Sequence, residues 1–439
     1  MKIVIADYDP QWNDIFITEK RLLDKTLGNK AARIEHIGST SVPGLSAKPI
    51  IDILLGVRKL GDADSIIPDM IKLGYEYVSK FEDAMPERRY FVKRKDGEST
   101  HHVHTVEITG HFFKRHILFR DYLRTHEQVR DEYCSLKKEL AQKEWNDSND
   151  YAYAKTNFIR KAEKEAMEFI SKKIEIAEAE ALYDLYYGAP ENIIRKNKIT
   201  FGHIGKAIAL KTDSMPAVIV NRIIGLGIYE EANNDIIEEA LNFYRPFTNV
   251  FGIQISTQAK PENLGEILEQ KGMVLKSHWN KFYRTTERIS VPTTDLEVKE
   301  IGKDHAKHFS EIVTTIFGIP PALKEIFESA VEKNKWHHYM AFDKNKPVAA
   351  GSMFIYGDTA WFGMATTLPE HRGKKAQSAI IAERINKAHD LGCKWISVET
   401  AEHSDEKPNP SFLNMLKYKF NLVYQRPNFL REPAQANLK

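Results

Sequence analysis

Over the first hundred residues short apolar runs alternate with polar turns: KIVIA (2–6), RIEHIG (33–38), IIDILLGV (50–57) and HHVHTVEI (101–108). Each is strand-length, so four strands are predicted. DSIIPDMIKLGYEYV (64–78) has apolar residues at helical spacing. From His116 to Trp145 a charged amphipathic pattern predicts one long helix, NDSND (146–150) a turn, and 151–173 a further helix. The class is α+β. Further on, VFGIQISTQAKPENLGEILEQKGMVL (250–275) and KWISVETAEHSDEKPNPSFLNMLKYKFNLV (394–423) repeat one pattern. Each has a strand, a polar loop with Pro and Asn, a short helix, a lysine-bearing turn and another strand. SVPTTD (290–295) reads as a linker, which divides the chain into 1–172, 173–290 and 291–439.

Composition changes this picture little. The 439 residues carry 63 basic and 61 acidic side chains, so no global field recruits nucleic acid. Two cysteines, Cys134 and Cys393, make no disulfide framework or thiolate zinc site. No run reaches the ~18 apolar residues of a membrane span, and the first residues lack the apolar core of a signal peptide. A reduced cytoplasmic protein without membrane or nucleic-acid partners is expected.

In the last segment a strand, WFGMAT (361–366), passes through the basic loop LPEHRGKKAQ into the helix SAIIAERINKAHDLG. Free N–H groups at such a helix start attract phosphate, and Arg372, Lys374 and Lys375 add charge. The stretch resembles the GNAT acyltransferases, whose pyrophosphate loop reads Arg/Gln-x-x-Gly-x-Gly/Ala. Arg372, Gly373, Lys374, Lys375, Ala376, Gln377 and Ser378 fill that frame, with Lys375 and Gln377 at the two glycine positions. ISVET and KPNPSFLNMLKYKF are similar to the strand and short helix that follow in this superfamily. The resemblance implies acetyl-CoA as coenzyme, lined by Asn409 and Ser411, with the backbone of Met364, Ala365 and Thr366 polarising the thioester carbonyl. It implies transfer to the amine of a small molecule. The tyrosine acid of the superfamily falls at Met415, which leaves Tyr418 and Tyr424 as substitutes. Glu399 is the candidate base. In the middle segment, NRIIGLGIYEEANNDIIEEALNFY (221–244) has Glu230 and Glu231 in place of a basic loop. A GNAT-like lobe without a coenzyme site is expected there.

One carboxylate, Asp52, interrupts the apolar run IIDILL. A buried charge needs a partner or a ligand. HIGSTSVPGL, AKPIIDI, RRYF (88–91), HHVH with Glu107, FRDYLR (119–124) and YAYAKTNFI (151–159) recur in the GrpB family, which this segment resembles. That family is a branch of the nucleotidyltransferase-like fold. The resemblance implies a phosphate-gripping turn at Gly38, Ser39 and Thr40, with Asp52 and Glu107 holding magnesium. Leu54 stands where a second aspartate is expected. Lys48, Arg89, His102, His104, Arg120 and Arg124 are expected around a nucleotide or other phosphorylated ligand. Relatives fused to dephospho-CoA kinase also place this domain beside coenzyme A chemistry. Two other readings stay open: a nucleotide-binding regulatory module with degenerate GNAT lobes, and nucleotidyl transfer by the first segment.

Overall fold

The computed structural model describes residues 2–431 apart from 246–248 and 332; the end of the last segment, 432–439, lies outside the described residues. The chain divides into two units, 1–168 and 169–439.

The first unit has one five-stranded sheet: β1 (Arg33–Ile37), β2 (Ile51–Val57), β3 (Tyr75–Tyr77), β4 (Arg88–Lys95) and β5 (Glu98–Glu107), in the order β1-β2-β5-β4-β3. The central pair, β2 and β5, is parallel, and Asp52 lies opposite His102. Alternation along β2 sends Ile51, Ile53, Leu55 and Val57 into a core with Trp12, Phe16 and Leu23 of the helix Gln11–Leu27. Asp52 and Leu54 therefore belong to the other face. The strand expected at 2–6 is not one; only Ala6 pairs, with Ala47, as an isolated bridge. The long helix expected over 116–145 is two, His111–Thr125 and Glu127–Ala141. They are interrupted at His126, whose backbone leaves the helical region.

The second unit is built on one eleven-stranded sheet. Its strands are β6 (Thr200–Ile204), β7 (Ala207–Lys211), β8 (Arg222–Ile224), β9 (Phe251–Gln254), β10 (Val274–Thr285), β11 (Glu297–Glu300), β12 (Trp336–Asp343), β13 (Lys346–Tyr356), β14 (Thr359–Thr367), β15 (Trp395–Thr400) and β16 (Asn421–Arg431). The order is β11-β12-β13-β14-β15-β10-β16-β9-β8-β7-β6. The two repeated motifs are β9–helix–β10 and β15–helix–β16, and their last strands are exchanged. β10 leaves its own half to pair with β15, and β16 crosses back to pair with β9. The long contact between β10 and β16 joins the halves. Segments 173–290 and 291–439 thus complete each other's sheet.

Alternation in WISVET shows how the sheet is covered. Ile396 and Val398 pack against Ile381, Ile385 and Ala388 of the helix Ala376–Asp390. Glu399 belongs to the opposite face, where it meets Glu178 of the helix Thr156–Tyr187 through a shared arginine, Arg426.

Candidate functional site

In the second unit the parallel pairing of β14 with β15 covers only Thr359–Phe362 against Trp395–Val398. Beyond it the strands diverge. On the other side of β14, Thr366 pairs with Ala350 and Gly363 with Ser352. Met364 and Ala365 therefore stand opposite the single residue Gly351, a bulge with Met364 at φ +53°. The expected carbonyl-polarising stretch, Met364–Thr366, lies in this opening.

The loop Arg372–Lys375 leads into the helix Ala376–Asp390 beside it. Gly373 has φ +80°, and a side chain added there meets nothing within 4 Å. Among the described residues, none of the six consecutive amides from Gly373 to Ser378 donates to a protein acceptor. Three side-chain oxygens nearby in the chain, Thr366 Oγ1, Thr367 Oγ1 and Gln377 Oε1, are buried without partners. This donor set fits an anionic ligand with amide groups, as a coenzyme A pyrophosphate and arm would be. The loop's cations are arranged unequally. Lys374 Nζ is 2.7 Å from Asp343, Lys375 Nζ is 3.4 Å from the Thr293 carbonyl, and Arg372 has no side-chain partner among the described residues.

Lys375 and Gln377, which stand at the two glycine positions of the pyrophosphate-loop pattern, have structural effects. Lys375 adopts φ +62°, the left-handed conformation that favours glycine. Lys375→Gly is expected to stabilise the second unit by about 0.5–1 kcal/mol, the left-handed strain being offset in part by glycine's entropy. Thermal unfolding measures this, and no gain would mean that Lys375 is held in place by other contacts. Gln377 Nε2 donates to the carbonyls of Thr366 (2.5 Å) and Ala350 (3.0 Å), tying the helix start to the bulge.

The expected catalytic side chains do not gather here. Glu399 sits in a buried charged layer, 2.5 Å from Arg426, 3.5 Å from Arg222 and 3.7 Å from Lys281. Burial and the charge of Glu178 raise its pKa against the pull of those cations. It is an ion-pair member, not a free base. The Tyr424 hydroxyl donates to Glu175 at 2.6 Å in the same layer. Tyr418 is buried in the cluster of Phe412, Met415 and Phe420 on the face that Ile396 and Val398 share. Asn409 caps the helix Pro410–Lys417: it accepts from the Ser411 and Phe412 amides and donates to the Ala401 carbonyl. Its side chain is occupied in shaping the turn, and Ser411 is exposed.

The corresponding place in the other half is partly closed by the chain itself. After β8, the Gly227 carbonyl accepts from the Lys260 amide, and the Lys260 carbonyl accepts from Ala232, both at 2.8 Å. The next helix, Asn234–Phe243, is capped by the Asn233 side chain. Of the six amides from Glu231 to Ile236, those of Ala232, Asn233 and Ile236 donate within the chain, whereas none from Gly373 to Ser378 does among the described residues.

In the first unit the Gly38 turn and Asp52 are in close apposition. Gly38 has φ +68°, and a Cβ there would overlap the Asp52 carboxylate. The amides of Ser39 and Thr40 have no backbone partner among the described residues. His102 Nδ1 is 3.3 Å from Asp52 Oδ1. Burial alone would raise the Asp52 pKa, but the hydrogen bond from His102 and the nearby histidines hold it below the ordinary value. Beside it lie Tyr90, 5.6 Å from the His102 ring and 5.0 Å from His104, and Arg88, 3.2 Å from His104 Nδ1.

Several expected members are elsewhere. Glu107 lies opposite Val57, five residues beyond the Asp52–His102 pair along parallel strands. At ~3.3 Å per residue this separates the two carboxylates by about 16 Å. They cannot share a magnesium ion. Leu54 fills the second-aspartate position as a fully buried apolar residue. No group of three or more His, Cys, Asp or Glu among the described residues is placed to hold a metal. The arginines are engaged: Arg89 with Asp64 (2.6 Å), Arg120 with Glu35 (2.7 Å) and Asp121 (2.8 Å), and Arg124 with the Ser41 carbonyl (2.7 Å). Arg124 therefore supports the Gly38 turn from behind. Thr40 Oγ1 is 3.0 Å from His36 Nε2. Lys48 does stay close to Asp52 electrostatically, and sequence reasoning missed its companions Lys137, Tyr151 and Lys155. Tyr151 and Lys155 lie in YAYAKTNFI, a motif noted for resemblance alone.

Comparison with known proteins bears on both units. The GrpB protein family model matches residues 2–165. A UPF0157 protein of Halalkalibacterium halodurans is 41% identical over 164 residues, 37% of this chain and 82% of that one. A crystal structure of GrpB from Enterococcus faecalis is 38% identical, with TM-score 0.34, and covers 37% of this chain and 96% of that one. A tandem GNAT protein from the clavulanic acid biosynthesis pathway matches with TM-score 0.39 and 13% identity, over 53% of this chain and 79% of that one.

Proposed function

This chain belongs to the GrpB family through residues 2–165, and we propose that it joins a phosphate-ligand domain of that family to an acetyl-CoA-dependent N-acetyltransferase. The observation that carries the enzymatic reading is the row of unpartnered amides from Gly373 to Ser378 beside the opening of β14 from β15. Those amides would take the pyrophosphate of acetyl-CoA, with Arg372, which has no carboxylate partner among the described residues, adding charge. The coenzyme supplies an activated acetyl thioester. The chain then needs to hold it in the opening beside a small-molecule amine, a positioning task in the main. The backbone of Met364 and Ala365, in the bulge where β15 no longer pairs with β14, lies where an arm and a carbonyl would be gripped. With Glu399 and Tyr424 locked in ion pairs and hydrogen bonds, the amine proton passes to water or to the acceptor's own surroundings. No helix among the described residues is long and apolar enough to cross a membrane.

Gly373→Asp tests this reading. A carboxylate placed among the free amides repels the pyrophosphate, while the open space around Gly373 and its exposure keep disruption local. Asp also adopts φ +80° at a cost of about 1 kcal/mol, which folding should survive. At least a hundredfold loss of acetyl-CoA affinity by calorimetry is expected, and unchanged affinity would remove the loop from the site.

A second reading has one observation in its favour. Gln377 already uses the Thr366 carbonyl, a group that a coenzyme arm would otherwise meet. A regulatory module would bind the coenzyme, or a nucleotide, without transferring acetyl. Release of free thiol from acetyl-CoA with a panel of small amines separates the two: binding without turnover favours regulation.

A further inference from the structure

The first unit contains cations that its own fold leaves unneutralised. Lys48 Nζ is 4.6 Å and Lys155 Nζ 4.4 Å from the centre of the Tyr151 ring. Among the described residues neither has a carboxylate within 4 Å. Asp52 is the nearby acid, and it pairs instead with His102. A third lysine, Lys137, is 2% exposed and donates to the Ser46 carbonyl. The Tyr151 hydroxyl is buried without a partner. Tyr133 packs with Val42 and Leu45, which follow the Gly38 turn, and so links this group to it.

Proteins rarely bury charge without a partner, because desolvation is not repaid. The strain is visible here: burial and the charge of Lys48 hold Lys155 down to about 8, and burial and the charge of Lys155 hold Lys137 down to about 7. Burial also lowers Lys48, with Asp52 opposing. Against Asp52, the lysines leave an excess of one to two positive charges. A dianion balances that excess. Resting on the reading of this unit as a phosphate-ligand domain, the geometry points to a metal-independent site for a phosphomonoester dianion, held by Lys48 and Lys155 across Tyr151. The lysines do the neutralising that a metal would do if a second carboxylate stood at Leu54. Asp52 with His102 then borders the phosphate and meets the next part of the ligand. The aromatic wall of Tyr90, Phe112 and His104 offers a stacking surface for a ring there.

The test uses the full-length protein carrying Gly373→Asp, so that the second unit's loop does not compete for phosphate. Inorganic phosphate and AMP are titrated with EDTA present, and again with magnesium. Binding in EDTA is expected, unchanged by magnesium and weakened at least tenfold by Lys155→Gln or Lys48→Gln. Without ligand, Lys155→Gln is expected to raise the melting temperature, because it removes an unpaired, half-buried charge; a lysine kept for folding would lower it on removal. Binding that requires magnesium, or that ignores both lysine variants, overturns the proposal and leaves the phosphate-ligand reading standing. Absence of binding by both probes in both conditions overturns the two together.

Discussion

Arg426→Leu lowers the unfolding free energy of the second unit by about 3–5 kcal/mol, the cost of removing one partner from a buried charge group. Arg426 is fully buried and contacts Glu178 at 2.8 and 3.0 Å, Glu175 at 3.0 Å and Glu399 at 2.5 Å. Arg222 and Lys281 complete the layer, so three carboxylates face three cations. Without Arg426 two cations remain for three carboxylates, and Gln254 Oε1 also loses a donor. Repulsion and desolvation then act in the same direction. The position makes the loss global. Arg426 lies on β16, the strand that crosses between halves, and its Cα partner Trp279 lies on β10, the strand that crosses back. Urea denaturation of wild type and variant measures the difference. Adding Glu178→Gln to the variant should recover part of it, since charge balance returns. A loss below about 1 kcal/mol would show that water reaches the layer and screens it, as at a surface pair.

The first unit is expected to lose stability steeply as pH falls below about 6.5. His36 and His104 are held down to about 3 and His116 to about 4, in each case chiefly by burial. Their folded-state pKa values lie below the unfolded value, so the unfolded chain binds more protons between the two. Stability is therefore complete above pH 6.5 and declines as pH falls towards the folded values. Each fully uncharged histidine contributes at most about 1.4 kcal/mol per pH unit, so three give a ceiling of about 4 kcal/mol per unit below pH 6. His36 is 5% exposed, whereas His104 and His116 are less completely covered, which lowers the real slope. Asp52, with its lowered pKa, acts in the same direction at lower pH. Melting curves from pH 7.5 to 5 measure the effect, and His36→Asn should flatten the slope. A transition insensitive to pH in that range would mean that the histidines are protonated in the native protein or hydrated there.

How much of this was legible in the sequence depends on what each pattern encodes. Alternation in IIDILLGV assigns Asp52 to the face opposite Ile51 and Ile53, and the structure agrees. It does not state which strand lies alongside, so the separation of Glu107 from Asp52 appeared only with the parallel register of β2 and β5. The strand–helix–strand repeats at 250–275 and 394–423 were readable because each is local. Their strand exchange was not, because β10 and β16 carry similar patterns and fit either half. RRYF (88–91) was noted as a motif, but RRYFVKRK was not read as β4; its five basic residues mask the alternation. His126 breaks the long helix without a glycine or proline to mark the site. The charged layer left a trace in the sequence: Lys281 in WNKFY and Arg426 in YQRPN are single charges inside strand-like runs, the same signal that drew attention to Asp52. Gly373 and the basic loop were legible as a candidate phosphate site from residue type alone, and the structure leaves the amides from Gly373 to Ser378 without protein acceptors among the described residues. The engagement of Glu399, Tyr424 and Asn409 was not, because their partners come from Glu175 on a distant helix, from the crossing strand and from the turn they cap.

On the reading proposed above, one half of the second unit, and not the other, takes acetyl-CoA. Calorimetric titration of acetyl-CoA into the full-length protein tests it most directly, because the crossing of β10 and β16 ties both halves into one sheet and the intact unit must be used. One equivalent bound per chain is expected, lost with Gly373→Asp and kept with Glu230→Gln in the other half. Two equivalents, no binding, or one equivalent that survives Gly373→Asp would contradict it.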